Sequence, residues 1–353
     1  MSRKKHKYLR KKKKFPRVLL AVALILLLLV GTVVGFVWSK LRLIDYSDGS
    51  VQETVPQNGL AGNTENTLPE ETFEEYVVDY AGLEEMQTLP VIPEREIVRS
   101  DDVINILVLG TDSYDGALTK YARSDAMILV SINKTDKTVK LVSLERGMGV
   151  YMETGEKAGE WDLLTHAFRW GGAKLVCDCV EAHLRVEVDH YVRVTFNTVV
   201  TVVDAIGGID VELTENEAWA LREHHNSLTA GKNHMDGETA LRFARLRKID
   251  SDWQRVERQR KVILAAVEAL KGANLKQLNT LLDTTLPLIQ TDMTMLEITE
   301  LMLYAPNFLQ SEFDQMTIPK QGTYGYKYGI TGFAVDYEVN SQILKDFLYG
   351  AEE

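Results

Sequence analysis

The pattern of apolar and polar positions divides the chain into three parts. Val18 to Trp38 is an uncharged run of twenty-one residues that is rich in Leu and Val. About 20 apolar residues are enough for a helix to cross the hydrocarbon core of a bilayer. Strand-like and helix-like patterns alternate only after about residue 100. We therefore predict a transmembrane helix at 18–38, a linker at 39–100 and a folded domain at 101–353.

Compact apolar runs in the last part predict β-strands, and amphipathic runs between them predict helices. Strands interleaved with helices indicate an α/β fold, in which a central mixed sheet has helices on both faces as an α-β-α sandwich. The predicted strands are Val103–Leu109, Ala126–Ile132, Thr138–Leu144, Ile209–Leu213, Phe313–Ile318 and Gly332–Tyr337. The predicted helices are Trp170–Leu184, Asn197–Ile206, Glu215–His225, Gly237–Ala244, Asp252–Leu270, Leu275–Ile289, Thr294–Tyr304 and Asn340–Leu348.

Charge gives the predicted membrane span a direction. Residues 1–17 contain ten Lys or Arg and no acid. Since the whole chain carries −11, the remainder carries −21. The positive-inside rule places the basic tail in the cytoplasm and the folded domain outside the cell, with a single pass between them. A cleaved signal peptide is the competing interpretation, but the apolar run is longer than an h-region of 7–15 residues and lacks an A-x-A-like site.

The linker and the cysteines fit an extracellular domain on a stalk. Leu43 to Glu94 has twelve acidic residues and no Lys or Arg, a composition typical of a solvated, extended segment. Cys177 and Cys179 are the only cysteines. Two residues apart on a helix they point about 200° away from each other, so we expect two buried thiols and no disulfide.

Six arginines lie within the nineteen residues from Arg242 to Arg260, in an otherwise acidic region. Together with Lys248 and three acids, this segment has a formal charge of +4. Arg forms planar, bidentate contacts with phosphate oxygens. A basic segment in an acidic domain favours a phosphate-bearing ligand of defined shape over nucleic acid. A solvated helix face with i,i+4 ion pairs is the alternative.

Three polar clusters follow or precede the predicted strands, where open α/β sheets place ligand sites. They contain Asp112, the segment Arg123–Asp125, and Arg146 with the preceding Glu145. Two carboxylates on neighbouring loops can hold Mg²⁺, which uses one or two protein carboxylates and completes its shell with phosphate and water. Asp112 and Asp125 are therefore candidate metal ligands. Alternatively, they cap turns or pair with Arg123.

These clusters, in this order, carry a resemblance to a known family. The segments are Asn105–Ser113, Arg123–Val130, Val142–Arg146, His166–Gly172, Val203–Ile209, Leu241–Arg247 and Arg255–Gln259. One such segment alone is a weak signal, but seven in sequence are specific. From about residue 102 to 270 the chain resembles the LytR-CpsA-Psr family.

The resemblance implies a membrane-anchored enzyme of Gram-positive cell-wall biogenesis. Members are understood to transfer teichoic acids or capsular polysaccharide from an undecaprenyl-pyrophosphate lipid to peptidoglycan. It implies that Asp112 and Asp125 hold Mg²⁺, or Mn²⁺, and that Arg146, Asp125 and Arg247 are catalytic. It also implies a set of pyrophosphate-binding residues, which comprises Arg123, Arg146, Arg245, Arg247, Arg255 and Gln259.

Four positions depart from the family's pattern. Gly147 stands where an Asp usually follows the arginine, and that Asp is a proposed base for the attacking hydroxyl. Glu145 and Glu153 are the candidates to replace it. The other departures are Leu163 in place of Lys, Thr165 in place of Asn, and Ala126 in place of Thr.

These departures keep alternatives to the transferase open. One is a polyprenyl-phosphate-binding protein with little or no catalysis, and another is a pyrophosphatase that acts on the same ligand. A transcriptional regulator, suggested only by historical naming within the family, requires a cytoplasmic domain.

Overall fold

The computed structural model of the protein describes residues 35–50, 78, 80–86, 90–112, 122–222, 227–246, 249, 252–308 and 313–351. A helical segment at 35–41 carries Lys40 over the Phe36 ring and Arg42 over the Trp38 ring. Of the predicted membrane span, residues 18–34 lie outside the described part of the chain. Within the described part, no helix combines the length and the apolar character that crossing a bilayer requires.

The fold is built around a seven-stranded mixed sheet. Its central strands form an antiparallel meander, and the strands on either side of the meander pair with it in parallel. In sheet order the strands are β1 (Asp45–Tyr46), β10 (Gln290–Thr291), β7 (His190–Thr195), β2 (Val103–Thr111), β3 (Ser124–Asn133), β4 (Thr138–Leu144) and β11 (Phe313–Ile318). As a result β2, β4, β7 and β11 all end at one edge of the sheet, and β3 begins there.

Three two-stranded antiparallel sheets and eight labelled helices complete the described part of the chain. Their strands are β5 (Gly149–Tyr151) with β6 (Trp161–Leu163), β8 (Ile209–Leu213) with β9 (Gly231–Met235), and β12 (Tyr324–Gly325) with β13 (Ala334–Val335). The helices are α1 (Leu164–Leu184), α2 (Phe196–Ala205), α3 (Glu215–Leu221), α4 (Gly237–Arg245), α5 (Asp252–Lys271), α6 (Leu275–Thr285), α7 (Met295–Phe308) and α8 (Tyr337–Tyr349).

Side chains that alternate along the strands bury both faces of the sheet. Leu107 of β2 and Met127 of β3 lie in one apolar core with Val176 of α1 and residues of α8. Ile106, the neighbour of Leu107, lies in the opposite core with Ile263 of α5 and residues of α7. Because successive strand residues point to opposite faces, this arrangement is the predicted α-β-α sandwich.

A further apolar cluster joins the helices that extend beyond the sheet. Val203 of α2, Val211 of β8 and Phe243 of α4 are buried together, with Val262 of α5. Thr195 begins α2 with a capping box in which its hydroxyl accepts from the Thr198 N–H, so the chain turns from β7 into α2 at the end of the strand. The same cluster fixes the end of α4, which carries the first arginines of the basic run.

The structure differs from the predicted elements most at β7, which the sequence did not predict. Along β7, Tyr191, Arg193 and Thr195 are buried while His190, Val192 and Val194 are only half-buried. The more deeply buried face therefore contains the Arg and the Thr. Polar residues on the inward face hide the alternation by which a strand is recognised.

Helix boundaries differ for local reasons. The predicted helix at 170–184 begins earlier, at Leu164, and contains a break at Gly172, where φ is 71°, a conformation that only Gly adopts without steric cost. The helix predicted at 275–289 ends at Thr285 and continues as a 3₁₀ turn that contains Pro287. The strand predicted at 332–337 is reduced to Ala334–Val335 because α8 already begins at Tyr337.

Both cysteines are free thiols in α1, and Cys179 is buried as predicted, whereas Cys177 is only half-buried. Burial raises the pKa of Cys179 to about 12, so this thiol stays protonated and unreactive at neutral pH. Within the predicted linker, Asp45 pairs with Gln290 at the edge of the sheet, and Val98 forms a bridge with Val186. The domain boundaries themselves stay predictions.

Candidate active site

The predicted site residues come together at the edge where the strands end. Asp112 follows β2 and Arg146 lies just beyond β4, while Asp125 is the second residue of β3. The β2–β3 ladder has an irregularity between Gly110 and Thr111, and bulges of this kind are common beside functional sites. Strands far apart in the sequence therefore bring these side chains to one place.

Asp112 and Arg123 form the first ion pair of the site. The Asp112 Oδ2 atom is 3.3 Å from Arg123 Nε, and Asp112 Oδ1 accepts from the Arg123 N–H at 2.7 Å. The Asp112 N–H in turn donates to the Arg123 carbonyl at 3.2 Å. Both side chains are about nine-tenths buried, so the pair is fixed by the backbone as well as by charge.

Asp125 is the meeting point of three elements. Its Oδ1 atom lies 2.9 Å from Arg146 Nη1 and 3.4 Å from the Thr165 hydroxyl of α1. Its main-chain carbonyl accepts from Arg255 Nη2 of α5 at 3.0 Å. Arg146 and Arg255 are each only 3% exposed. The helix of the basic run thus delivers an arginine to the carboxylate pair predicted from the loops.

The guanidinium groups of this cluster suit a phosphate-bearing ligand. Arg123 and Arg146 pair with the Asp112 and Asp125 carboxylates, and Arg255 donates to the Asp125 main-chain carbonyl. The fully buried Glu145 lies beside Arg146, so the formal charges of these six side chains balance. Phosphate oxygens accept bidentate hydrogen bonds from arginine.

The other predicted phosphate-binding residues lie on α4 and α5. The Arg245 guanidinium stacks 4.3 Å from the centre of the Phe196 ring, at the end of β7. Gln259 is half-buried on α5, one turn beyond Arg255. Arg247 lies outside the described residues. The roles of all three stay predictions.

Comparison with known proteins agrees with this arrangement. A model of the LytR_cpsA_psr family matches residues 70–347. The chain belongs to the LytR-CpsA-Psr family. The resemblance noted in the sequence is confirmed, and the match extends beyond the segments on which it was based.

Two curated relatives are named as polyisoprenyl-teichoic acid–peptidoglycan teichoic acid transferase TagU. The protein of Enterococcus faecalis is 35% identical over 179 residues, which cover 50% of this chain and 57% of that protein. The protein of Halalkalibacterium halodurans is 30% identical over 200 residues, which cover 56% of this chain and 63% of that protein. In both cases the match spans less than two thirds of the relative.

Solved structures of the family share the fold. The structure of TagT bound to LIIa-WTA has a TM-score of 0.55 and 26% identity, and covers 74% of this chain and 95% of that one. The crystal structure of Bacillus subtilis TagT has a TM-score of 0.54 and 25% identity, with coverage of 74% and 96%. The mixed sheet flanked by helices is therefore the fold of the LytR-CpsA-Psr family.

The departures from the family's pattern have different structural consequences. Thr165 keeps a polar contact in the site, since its hydroxyl donates to the Ser124 carbonyl at 3.0 Å and faces Asp125. Leu163 is buried in the apolar core and brings no charge to the site. Gly147 is buried beside Arg146, and its N–H lies 3.4 Å from Glu145 Oε1.

The two acids proposed to replace the missing Asp differ in burial and in distance along the chain from Arg146. Glu145 is fully buried next to Arg146, whereas Glu153 is exposed on the loop that follows β5. Only Glu145 is therefore adjacent to the site.

Several arginines of the basic run serve the fold. Arg258 is 1% exposed, lies 3.6 Å from Glu217 of α3 and donates to the Leu246 carbonyl. Arg242 pairs with Glu238 one turn away on the surface of α4. The alternative of a solvated helix face with i,i+4 ion pairs thus holds for Arg242, whereas Arg258 forms a buried ion pair with another helix, and the ligand interpretation fits Arg255.

Arg260 makes polar contacts with two strands, a role that the sequence did not predict. Its Nη1 atom donates to the Ser143 hydroxyl, the Met316 carbonyl and the Thr317 hydroxyl at 3.3, 3.0 and 2.7 Å. Burial lowers the pKa of Arg260, although the group stays charged at neutral pH. Arg260 thereby fastens α5 to the ends of β4 and β11.

The side chains near Asp112 and Asp125 can be compared with the ligands that the predicted Mg²⁺ requires. Asp112 and Asp125 are two carboxylates at adjacent ends of the β2–β3 ladder, with the Thr165 hydroxyl beside them. A carboxylate oxygen has two lone pairs, so a cation and an arginine can share it. This set fits Mg²⁺, which needs few protein ligands when phosphate supplies the others. Among the described residues, no group of three or more His, Cys, Asp or Glu side chains has the arrangement to hold a metal ion by itself.

A buried acid–imidazole pair next to the site was also missed. His166 Nδ1 is 2.9 Å from Asp162 Oδ1, and the Trp170 indole donates to Asp162 Oδ2 at 2.8 Å. Burial raises the pKa of Asp162, but the hydrogen bonds from His166, the Leu163 N–H and Trp170 outweigh it, and the pKa is lowered. The Asp–x₃–His spacing was visible, but nothing in it marked burial.

Proposed function

We propose that the protein transfers a glycopolymer, of the teichoic acid or capsular polysaccharide type, from an undecaprenyl-pyrophosphate carrier to peptidoglycan. The observation that carries this proposal is the buried cluster in which Arg123, Arg146 and Arg255 surround Asp112 and Asp125. The relatives named as teichoic acid transferases support the same chemistry.

In this reaction a sugar hydroxyl of the acceptor attacks the phosphorus on the polymer side of the pyrophosphate. A bond forms between that hydroxyl oxygen and phosphorus, the bond from phosphorus to the bridging oxygen breaks, and polyprenyl phosphate leaves with the electron pair. The hydroxyl proton is released. Negative charge grows on the phosphate oxygens and on the leaving group, and Arg146, Arg255 and Arg123 are placed to neutralise it.

Asp112 and Asp125 would hold Mg²⁺ in this proposal, and the ion would supply further charge neutralisation at the phosphate oxygens. Arg146 orients the Asp125 carboxylate through the 2.9 Å contact. Arg123 does the same for Asp112 through its side chain and its N–H.

The sheet face toward α5 and α7 offers a place for the polyprenyl chain. Val108 of β2, Val130 of β3 and Val192 of β7 are half-buried there, as are Ile263 and Leu264 of α5. Ligand sites are lined mainly by apolar side chains, and those of β3, β7 and α5 pack against the core on this face of the sheet. Since α5 also carries Arg255, the lipid and its phosphate would lie along one helix.

Topology supports an extracellular reaction. The basic residues 1–17 precede an apolar run of twenty-one residues, and the domain that follows is acidic. By the positive-inside rule the protein is a single-pass membrane protein with its site outside the cell, on the side of peptidoglycan.

The test is transfer by the full-length protein in detergent, with Asp125→Asn and Arg146→Ala as variants. The donor is a polyprenyl-pyrophosphate-linked saccharide with a labelled sugar, and the readout is label that becomes covalently attached to peptidoglycan. Loss of a group that neutralises charge in the transition state lowers turnover about 100-fold or more, so we expect both variants to fall at least that far.

The control is Arg242→Ala, which removes an arginine of the same run that pairs with Glu238 on the surface. It should transfer at nearly the wild-type rate. Transfer at the wild-type rate by both site variants would refute the assignment of the reaction to this cluster.

A second candidate function is polyprenyl-phosphate binding without transfer, and Gly147 favours it, since no carboxylate is possible at the position of the proposed base. Tight donor binding by the wild-type protein with neither transfer nor hydrolysis, and a gain of transfer in Gly147→Asp, would support that alternative. Release of polyprenyl phosphate without an acceptor would instead indicate a pyrophosphatase.

A further inference from the structure

The loop between β11 and β13 carries tyrosines at alternate positions. Tyr326 is 39% exposed and Tyr328 is 95% exposed, and Tyr324 lies two residues before the first of them. The loop's one aliphatic side chain, Ile330, is buried. Several large aromatic side chains in contact with solvent on one loop are typical of a binding surface.

The rings of this loop extend onto neighbouring elements. Trp253, at the start of α5, lies with its ring centre 5.3 Å from Tyr324 at an angle of 35°. On the other side, Tyr80 contacts Tyr326 edge to face at 6.3 Å. The Tyr80 hydroxyl accepts from the Gly332 N–H at 3.2 Å, which fixes the ring in place. We refer to Tyr80, Trp253, Tyr324, Tyr326 and Tyr328 as the aromatic surface.

The aromatic surface is joined directly to the candidate active site. The Phe333 N–H donates to the Gly147 carbonyl at 2.8 Å, and the Gly149 N–H donates to the Phe333 carbonyl at 3.0 Å. Burial and the nearby charge of Glu145 raise the pKa of Tyr324, which places this ring close to the acid that precedes Arg146. Trp253 is two residues before Arg255.

We propose that the aromatic surface binds the sugar rings of the acceptor glycan and presents a hydroxyl to the site beside Gly147. This inference rests on the proposed transfer reaction and names the place of its second substrate. The flat C–H faces of pyranose rings pack against aromatic rings, while Tyr hydroxyls and the Trp indole N–H hydrogen-bond to sugar hydroxyls.

The lack of charge on the aromatic surface suits the acceptor glycan better than the anionic donor. The donor carries the pyrophosphate, which suits the arginines of the candidate active site. The aromatic surface is uncharged, and the neighbouring Lys327 is engaged by Glu85 and the Met86 carbonyl. A neutral glycan fits such a surface, whereas an anionic polymer needs accessible arginine or lysine.

A bilayer is the other class of partner that exposed aromatic rings can contact. Segments that lie in a bilayer interface typically combine Leu, Phe or Trp with a polar face rich in Lys and Arg. The loop offers no exposed aliphatic residue, because Ile330 is buried. The composition of the loop therefore favours the glycan.

The experiment measures binding of the detergent-solubilised full-length protein to purified sacculi from which attached anionic polymers have been removed. The test variant is Tyr326→Ala combined with Tyr328→Ala. We expect its apparent Kd for sacculi to rise about tenfold, as loss of stacking on two rings implies. Soluble oligomers of β-1,4-linked N-acetylglucosamine should compete with the wild-type protein for sacculi.

Two control variants separate ring stacking from unfolding and from general loss of exposed aromatic surface. Tyr326→Phe keeps the ring against Tyr80 and loses only the hydroxyl, so it should weaken binding to sacculi less than Tyr326→Ala does. Trp219→Ala removes a tryptophan of α3 that is 71% exposed and should leave Kd unchanged. Equal loss of binding in Trp219→Ala would overturn the proposal.

Binding of the polyprenyl-pyrophosphate donor is measured on the same samples. Unchanged donor binding together with weaker sacculus binding in the double variant supports the proposal. Wild-type binding to sacculi by the double variant, or no binding by the wild type itself, overturns it while leaving the donor site intact. A wild-type protein that binds sacculi but not the donor would instead refute the proposed function.

Discussion

Asp125 receives contacts from β4, α1 and α5, and each contact fixes a different part of the residue. Arg146 and Thr165 reach its carboxylate, and Arg255 reaches its main-chain carbonyl. Because the partners come from segments far apart in sequence, the position of this carboxylate depends on the whole sandwich being folded. Small changes at one partner are therefore expected to alter catalysis more than stability.

Thr165→Val tests this dependence at a single atom. The substitution keeps the shape of the side chain but removes the hydroxyl that donates to the Ser124 carbonyl and faces Asp125. A lost hydrogen bond of this kind is worth about 1 kcal/mol, so we expect kcat/KM for transfer to fall about five- to tenfold. The measurement is the transfer assay with varied donor concentration.

Thr165→Ser is the matched control, because it keeps the hydroxyl and should remain within about twofold of the wild-type kcat/KM. If Thr165→Val transfers as fast as the wild type, the contact between α1 and Asp125 has no part in the reaction.

Much of the cluster could be predicted from the sequence because its residues flank apolar runs. Asp112, Arg123, Asp125 and Arg146 each adjoin a predicted strand, and strand ends of an α/β sheet converge on ligands. Thr165 could not be predicted in this way. It counted as a departure from the family's pattern, and its contact with Asp125 depends on how α1 packs against β3.

At the scale of elements, α5 shows why a run of arginines in the sequence does not reveal which of them contacts the site. Arg255 donates to Asp125, Arg258 pairs with Glu217, and Arg260 binds the ends of β4 and β11. Successive helix residues differ by about 100° in direction, so arginines a few positions apart face different neighbours. Which of them faces the ligand depends on tertiary packing.

Arg258→Ala should destabilise the fold strongly. The guanidinium and Glu217 are almost fully buried, and removal of one partner of a buried ion pair typically costs about 3–5 kcal/mol because the other charge remains. We expect the free energy of unfolding, measured by urea titration with tryptophan fluorescence, to fall by about that amount.

Arg242→Ala is the comparison for this change, since its ion pair with Glu238 is partly exposed and such pairs contribute about 1 kcal/mol or less. Equal losses in the two variants would contradict the structural role assigned to Arg258.

The strand β7 marks the limit of pattern-based prediction at this scale. Its inward face carries Arg193 and Thr195, and Arg193 is 3% exposed with its guanidinium 5.4 Å from the Phe168 ring. From the sequence alone an arginine is predicted to be exposed to solvent, even where it is in fact buried against an aromatic ring. The element that completes the centre of the sheet was missed for that reason, while β4, β8 and β11 matched their predicted bounds.

At the scale of the whole molecule, charge is separated along the chain. The first seventeen residues carry +10 and the remainder −21, and within the acidic part the candidate site brings Arg123, Arg146 and Arg255 together. An acidic surface is repelled by anionic lipid headgroups, while the basic tail is attracted to them. The distribution favours a domain held away from the membrane by its acidic surface.

Topology follows from the same distribution and can be measured on intact cells. A C-terminal epitope tag should be removed by proteinase K added outside, because the domain after residue 38 is predicted to be extracellular. An N-terminal tag on the same protein should be protected until the membrane is permeabilised, and serves as the control. Protection of the C-terminal tag would contradict the proposed topology and revive a cytoplasmic role.

The two hydrogen bonds between Phe333 and the residues on either side of Met148 have a consequence for how substrate preference can diverge among relatives. They tie the tyrosine loop to the segment that follows Arg146, so that loop cannot shift without moving the arginine. New acceptor preferences must then arise by exchange of ring-bearing side chains at the loop's tip, such as Tyr328, while the backbone beneath stays as it is. Sequence drift at that tip, with a constant Gly147–Phe333 connection, would be the evolutionary signature of this constraint.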